Sequence, residues 1–205
     1  MQDSSAQNGP RPQSYAPASK WLHWIIALCV LAILPIGIVM PGLPPGALQN
    51  RLFDLHRSTG ILVLALAVLR VSARYVFGTP SPAPSLTRFE RIASAAAHHA
   101  LLLLIFLMPV VGWAAMSAYR AEVSVYGLFT LPNILPRNPT LYAVLSWTHT
   151  ILGYAMAAIL AAHIGGALMH GFLRRDGVLN RMLPARLAIR TTGIAADAGT
   201  AGKSE

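Results

Sequence analysis

Residues 138–173 read NPTLYAVLSWTHTILGYAMAAILAAHIGGALMHGFL, thirty-six positions with no Lys, Arg, Asp or Glu but with His149, His163 and His170. A bilayer crossing needs about 20 predominantly apolar residues, so this stretch spans once with an end to spare. Ionisable side chains inside a span are costly and mark function by default. His149 and His163 are fourteen residues apart. At 100° per residue they share one helix face, about 21 Å apart along the axis.

Working outward, residues 21–50 and 92–119 are likewise free of charged side chains. A weaker apolar run over 55–76 carries Arg57 and Arg70 inside it. The pattern predicts four transmembrane helices, at about 21–40, 55–76, 95–118 and 143–173. The segments PGLPPG (41–46), GTPSPAPS (78–85) and LPNILPRNP (131–139) separate them, and such Pro/Gly runs are loop signals. Composition agrees: of 205 residues, 55% are hydrophobic and only 11% charged, against about 25% charged in a soluble domain. A soluble globule and a wholly disordered chain are both excluded. The expected fold class is all-α, an integral membrane four-helix bundle occupying 19–184. Residues 1–18 read as a disordered N-terminal extension rather than a cleavable signal, and 185–205 as a flexible basic tail. The single cysteine, Cys29, excludes an intramolecular disulfide framework and cysteine-ligated metal clusters.

The net charge of +9 sorts by side rather than forming a nucleic-acid surface. Twelve of the sixteen basic residues (Arg11, Lys20, Arg70, Arg74, Arg88, Arg91, Arg174, Arg175, Arg181, Arg186, Arg190 and Lys203) fall on one side of the four spans. Arg51, Arg57, Arg120 and Arg137 fall on the other. The positive-inside rule then puts both termini in the cytoplasm of a bacterial inner membrane, with loops 41–54 and 119–142 in the periplasm.

The histidines carry the chemistry. Two sites on one helix face, near opposite membrane surfaces, need a partner each at matching depth. Zinc fits poorly, because there is no local cluster of three or four ligands. Bis-histidine haem fits well, because it needs one imidazole from each of two facing helices, and bundle cores house such cofactors. By depth His56 pairs with His149 on the periplasmic side, and His23 with His163 on the cytoplasmic side. The depths of His23 and His163 match only if the last helix projects into the cytoplasm. Gly60, Gly153 and Gly166 lie one turn from these histidines and would leave room for a haem plane. Arg70 follows His56 by fourteen residues, repeating the spacing of the last span. It would face the bundle near the inner site, where a haem propionate could serve as its counter-charge. His98 and His99 are adjacent, so at most one faces the bundle. They read as interfacial or as neighbours of a quinone or haem edge, and His170 as part of a polar inner site.

These residues form an ordered set: His23-Trp24, then Asp54-Leu55-His56-Arg57-Ser58-Thr59-Gly60, Arg70, and Met108-Pro109-Val110-Val111-Gly112. Ser146-Trp147-Thr148-His149, His163, His170 and Arg181-Met182-Leu183-Pro184 complete it. With these spacings the chain, over about 19–184, resembles the bacterial cytochrome b561 family of four-span, di-haem membrane proteins. The resemblance implies two haem b groups, ligated by His23, His56, His149 and His163. It also implies an oxidoreductase similar to superoxide oxidases, which take an electron from superoxide in the periplasm and reduce ubiquinone. A six-coordinate bis-histidine iron has no open position, which suits outer-sphere electron transfer. The outer loops hold four Arg against Asp54 and Glu122, a net +2 that would attract an anion. Trp147, Tyr119, Tyr126 and Phe129 are candidates for an apolar quinone wall near the outer haem. Two other readings stay open: a haem-b anchor and electron conduit for a partner dehydrogenase or hydrogenase subunit, and a small transporter without redox chemistry.

Overall fold

The computed structural model describes residues 14–189. Residues 1–13 and 190–205 lie outside it, and with them most of the expected N-terminal extension and basic tail. Four helices dominate: α1 (Pro17–Val39), α2 (Ala47–Phe77), α3 (Arg88–Tyr119) and α4 (Pro139–Leu168), the last prolonged by a π-helical turn, Met169–Arg174. All four are long and apolar enough to cross a membrane. Each, with its π turn counted to α4, is longer than the span read from the sequence. Charged residues mark the edge of the apolar layer, not the end of hydrogen bonding, so α2 begins before Arg51 and Asp54 and α3 takes in Arg88, Glu90 and Arg91.

Local chemistry sets the ends. Pro17 opens α1 and Pro139 opens α4, where a missing N–H removes no helical bond. Asn138 caps α4 by accepting from the Leu141 N–H at 3.0 Å. Thr87 and Glu90 form a reciprocal capping box at the start of α3. α3 ends with Arg120 in the left-handed region (φ 69°), the geometry that satisfies the last carbonyls.

The helices form a ring in chain order. α1 packs on α2, α2 on α3 and α3 most extensively on α4, while α4 and α1 meet only sparsely. The core consists of Ile26, Val30, Val63, Leu101, Leu104 and Met156. Outward faces remain apolar, with Leu28, Leu62, Leu103, Trp147 and Ile151 exposed, as a lipid-facing surface requires.

Two features outside the helices bear on the site. The loop after α3 contains a small hairpin, β1 (Val123–Val125) antiparallel to β2 (Phe129–Leu131), within an otherwise helical fold. Its turn has positive φ at Tyr126 (51°) and Gly127 (73°), where Asn, Asp or Gly usually stand. Side chains of α2 hold it there. Ser58 Oγ donates to the Ser124 carbonyl (3.1 Å) and accepts from the Tyr126 N–H (3.0 Å), and Thr59 Oγ1 lies 2.8 Å from the Tyr126 hydroxyl. Arg57 Nη1 donates to the Glu122 carbonyl at 3.3 Å. Thus Ser58 and Thr59 grip the hairpin, and Arg57 the residue that leads into it.

At the other end, which we call inner, the chain beyond α4 folds back over α1. Lys20 Nζ donates to the Leu183 carbonyl and Trp24 Nε1 to the Met182 carbonyl, both at 3.0 Å. This fold-back places the overhang of α4 against the start of α1. His170 Nδ1 donates to Asp176 Oδ2 at 2.6 Å, and Arg174 pairs with Glu90, also at 2.6 Å. Burial alone would raise the Asp176 carboxyl, but the bonds from His170 and the Val178 N–H outweigh it and hold the group below its ordinary value. The associated stability is complete above the ordinary aspartate range and is lost as pH falls through the folded value. Asp176→Asn is expected to lower the thermal midpoint of the detergent-solubilised protein at pH 7. The gap to the parent should narrow progressively as pH is lowered below about 5. A gap that stays constant with pH would show that the carboxylate charge is not what holds the strap.

Candidate functional site

Each helix turns one line of residues toward the bundle axis at seven-residue steps: His23, Val30, Gly37 on α1; His56, Val63, Arg70 on α2; His98, Ile105, Gly112 on α3; His149, Met156, His163 on α4. Because neighbouring helices run antiparallel, the lines assemble into three tiers. The middle tier is apolar, with Val30, Val63 and Met156 buried and Ile105 packed against them. The polar residues stand in the tiers above and below.

The outer tier brings His56 and His149 together, their ring centres 6.0 Å apart and their planes at 75°. Its other two members are glycines that leave room for the rings. A Cβ on Gly37 would lie 2.7 Å from His56 Cε1, and one on Gly112 would lie 3.2 Å from His149 Cε1. His56 Nδ1 donates to the Ile33 carbonyl at 3.1 Å. His149 Nδ1 is buried without a well-formed hydrogen bond, facing the Met108 backbone. Ile33 and Met108 each precede a cradle glycine by one turn, and Pro35 and Pro109 lie in those same turns. Proline removes one helical hydrogen bond and loosens the helix there.

The inner tier brings together His23 and His163, with ring centres 6.3 Å apart and planes at 83°. His98 joins them with its ring centre 5.1 Å from that of His163. Arg70 completes the tier. Its Nη1 is buried with no hydrogen-bond partner, and its charge acts on His23, His98 and His163.

The residues fit the cofactor expected from the sequence. A metal bound about 2 Å from each of two facing imidazole nitrogens leaves ring centres roughly 6 Å apart, which both pairs match and the His98–His163 pair undershoots. Nδ1 bound to a backbone carbonyl, as in His56, is the usual orienting contact of a ligating histidine. The unpartnered Arg70 nitrogen calls for an anion, which a propionate would supply. Open space faces Gly60 and Gly166, whereas Gly153 meets Met108 Cε at 3.6 Å. Among the described residues no group of three or more His, Cys, Asp or Glu could hold a bare metal ion.

Other candidates fall elsewhere. Trp147 is 70% exposed, two residues from His149 and so on the opposite side of α4. Tyr119 stacks on Tyr142, Phe129 is exposed, and Tyr126 is tied to Thr59. His99 turns back to its own helix, with Nδ1 2.7 Å from the Ala95 carbonyl. His170 belongs to the inner strap. Gly37, Gly112 and the inward direction of His98 escaped the sequence reading. The available signal was the seven-residue step, which His98 and Gly112 share with His149 and His163.

The chain is 31% identical to cytochrome b561 homolog 2 of Escherichia coli K12, over 84% of this chain and 92% of that protein. It is 26% identical to the probable superoxide oxidase CybB of Yersinia pestis, over 80% and 93%. Cytochrome b562 of Cereibacter sphaeroides is 28% identical, over 80% and 92%. A profile of the prokaryotic cytochrome b561 family matches residues 14–185. That match takes in all four helices, both polar tiers and the inner strap: the chain is a membrane protein of the prokaryotic cytochrome b561 family, a haem-b cytochrome.

Proposed function

We propose that this cytochrome carries two haem b groups, one between His56 and His149 and one between His23 and His163. It takes single electrons from superoxide or another small donor and passes them to ubiquinone. The observation that carries this reading is the matched pair of imidazole pairs, 6.0 Å and 6.3 Å between ring centres, stacked fourteen residues apart on α4. His56 with His149 and His23 with His163 would hold the haems, which when bound would supply one-electron chemistry.

The chain's own residues do the rest. His56 is oriented by the Ile33 carbonyl, and Gly37 and Gly112 keep the outer pair's space open. Arg70 would hold a propionate of the inner haem. The apolar middle tier keeps water from between the two centres. The excess of Lys and Arg at the inner end supports an orientation with both termini in the cytoplasm and the His56–His149 pair toward the periplasm. On the outer rim Arg57 is occupied by Asp54 and by two backbone carbonyls. The attraction of an anionic donor therefore falls to Arg51, Arg120 and Arg137. The relative named as a probable superoxide oxidase supports that donor. Ubiquinone as acceptor is proposed from the family resemblance read in the sequence.

Haem quantification with reduced-minus-oxidised spectra should find two low-spin b haems per chain. His149→Ala should lose one and keep the other, whereas retention of both with unchanged spectra refutes the ligand assignment. Gly37→Ala should disturb the outer haem spectrum more than Gly112→Ala. Its Cβ must displace a ring already tied to Ile33, an overpacking of about 1–3 kcal/mol. Equal, negligible effects would place the outer haem elsewhere. The purified chain alone should reduce a soluble ubiquinone when superoxide is generated. A need for a second subunit would instead make it an electron conduit.

A further inference from the structure

The two polar tiers differ in charge. The inner tier contains Arg70, whose guanidinium is always protonated and whose Nη1 has no hydrogen-bond partner. Arg74, one turn further along α2, adds a second cation that acts on Arg70 itself. Among the described residues no carboxylate pairs with Arg70: Glu90 is paired with Arg174, and Asp176 with His170. The outer tier has histidines and glycines in the corresponding positions. Arg57 is the cation acting on His56, and it is turned away. Its Nε donates to the Phe53 carbonyl, its Nη1 to the Glu122 carbonyl, and its Nη2 lies 3.0 Å from Asp54 Oδ1, which balances its charge.

We infer that Arg70 makes the centre held by His23 and His163 the higher in potential, so that an electron entering at His56–His149 comes to rest at the inner end, where the acceptor must be served. This rests on the two-haem reading above and adds to it a direction and the residue that sets it. The physical reason is Coulombic. Reducing a centre adds one negative charge, which a nearby cation in a poorly polarisable interior stabilises. Charge, hydrogen bonding and burial around a haem are the protein's means of setting its potential. The tiers are fourteen residues, or about 21 Å, apart, so Arg70 acts far more on the inner centre than on the outer. The step balances as a bare electron transfer: the outer centre is oxidised by one electron, the inner is reduced by one, and no bond or proton moves between them. Asp54 and Arg70 are thus positioning residues for the flow, one balancing the Arg57 cation outside and the other offsetting the negative charge of the inner haem's own propionate.

The test is a potentiometric titration of the purified holoprotein, followed in the haem absorption bands. Two one-electron waves are expected in the parent. Arg70→Gln should lower the upper wave by at least a tenfold change in the electron's distribution between the centres, about 59 mV for one electron. The lower wave should stay in place, and Arg70→Lys, which keeps the charge, should hold the upper wave near its original position. Asp54→Asn, which leaves Arg57 uncompensated, should raise the lower wave and leave the upper one. Two haems per chain with an upper wave indifferent to Arg70→Gln overturn the inference alone, as does a shift of the lower wave in its place. Fewer than two low-spin haems in the parent overturn the two-haem reading and the inference with it.

Discussion

A polar group inside an apolar bundle must either find a partner or be worth several kcal/mol to what it binds. That constraint organises this molecule. Its helices carry few polar side chains on their inward lines, and those few are gathered into two levels separated by Val30, Val63, Ile105 and Met156. Within each level the imidazoles meet one another. Arg70 Nη1 in one level and His149 Nδ1 in the other are buried without a hydrogen-bond partner among the described residues.

The helices serve this arrangement through register more than through sequence-specific packing. A step of seven residues is close to two helical turns, so one inward line on each helix meets the same three levels. Glycine is as much a part of the register as histidine. Gly37 and Gly112 stand where a side chain would collide with the rings of His56 and His149. The outer level is therefore roomy and uncharged on its inward side, and the inner level is crowded and cationic. A bundle with nearly symmetric helices acquires two dissimilar ends.

Much of this was legible in the sequence because charge is so scarce. Stretches without Lys, Arg, Asp or Glu located the helices, and the fourteen-residue interval between His149 and His163, repeated by His56 and Arg70, located two of the four inward lines. The other two were harder to read. On α1 and α3 one end of the interval is a glycine, and glycine is common in membrane helices for many reasons. His98 and His99 are only 100° apart, so nothing local says which turns inward; packing against His163 decides it. Most helix ends lie outward of the spans read from the sequence, since backbone hydrogen bonding continues past the point where charges begin. The hairpin was missed because Tyr126-Gly127 is a weak turn signal, and the contacts that hold it come from Ser58 and Thr59, more than sixty residues away.

The fold-back beyond α4 also bears on how the molecule is made. The seam between α1 and α4 is the sparsest of the ring, and Lys20 and Trp24 close its inner end by holding the carbonyls of Leu183 and Met182. The first described helix is fastened by nearly the last segment the structure describes. The bundle therefore stays an open book until that segment has been made, and the side left open is the one that gives onto His23 and His163.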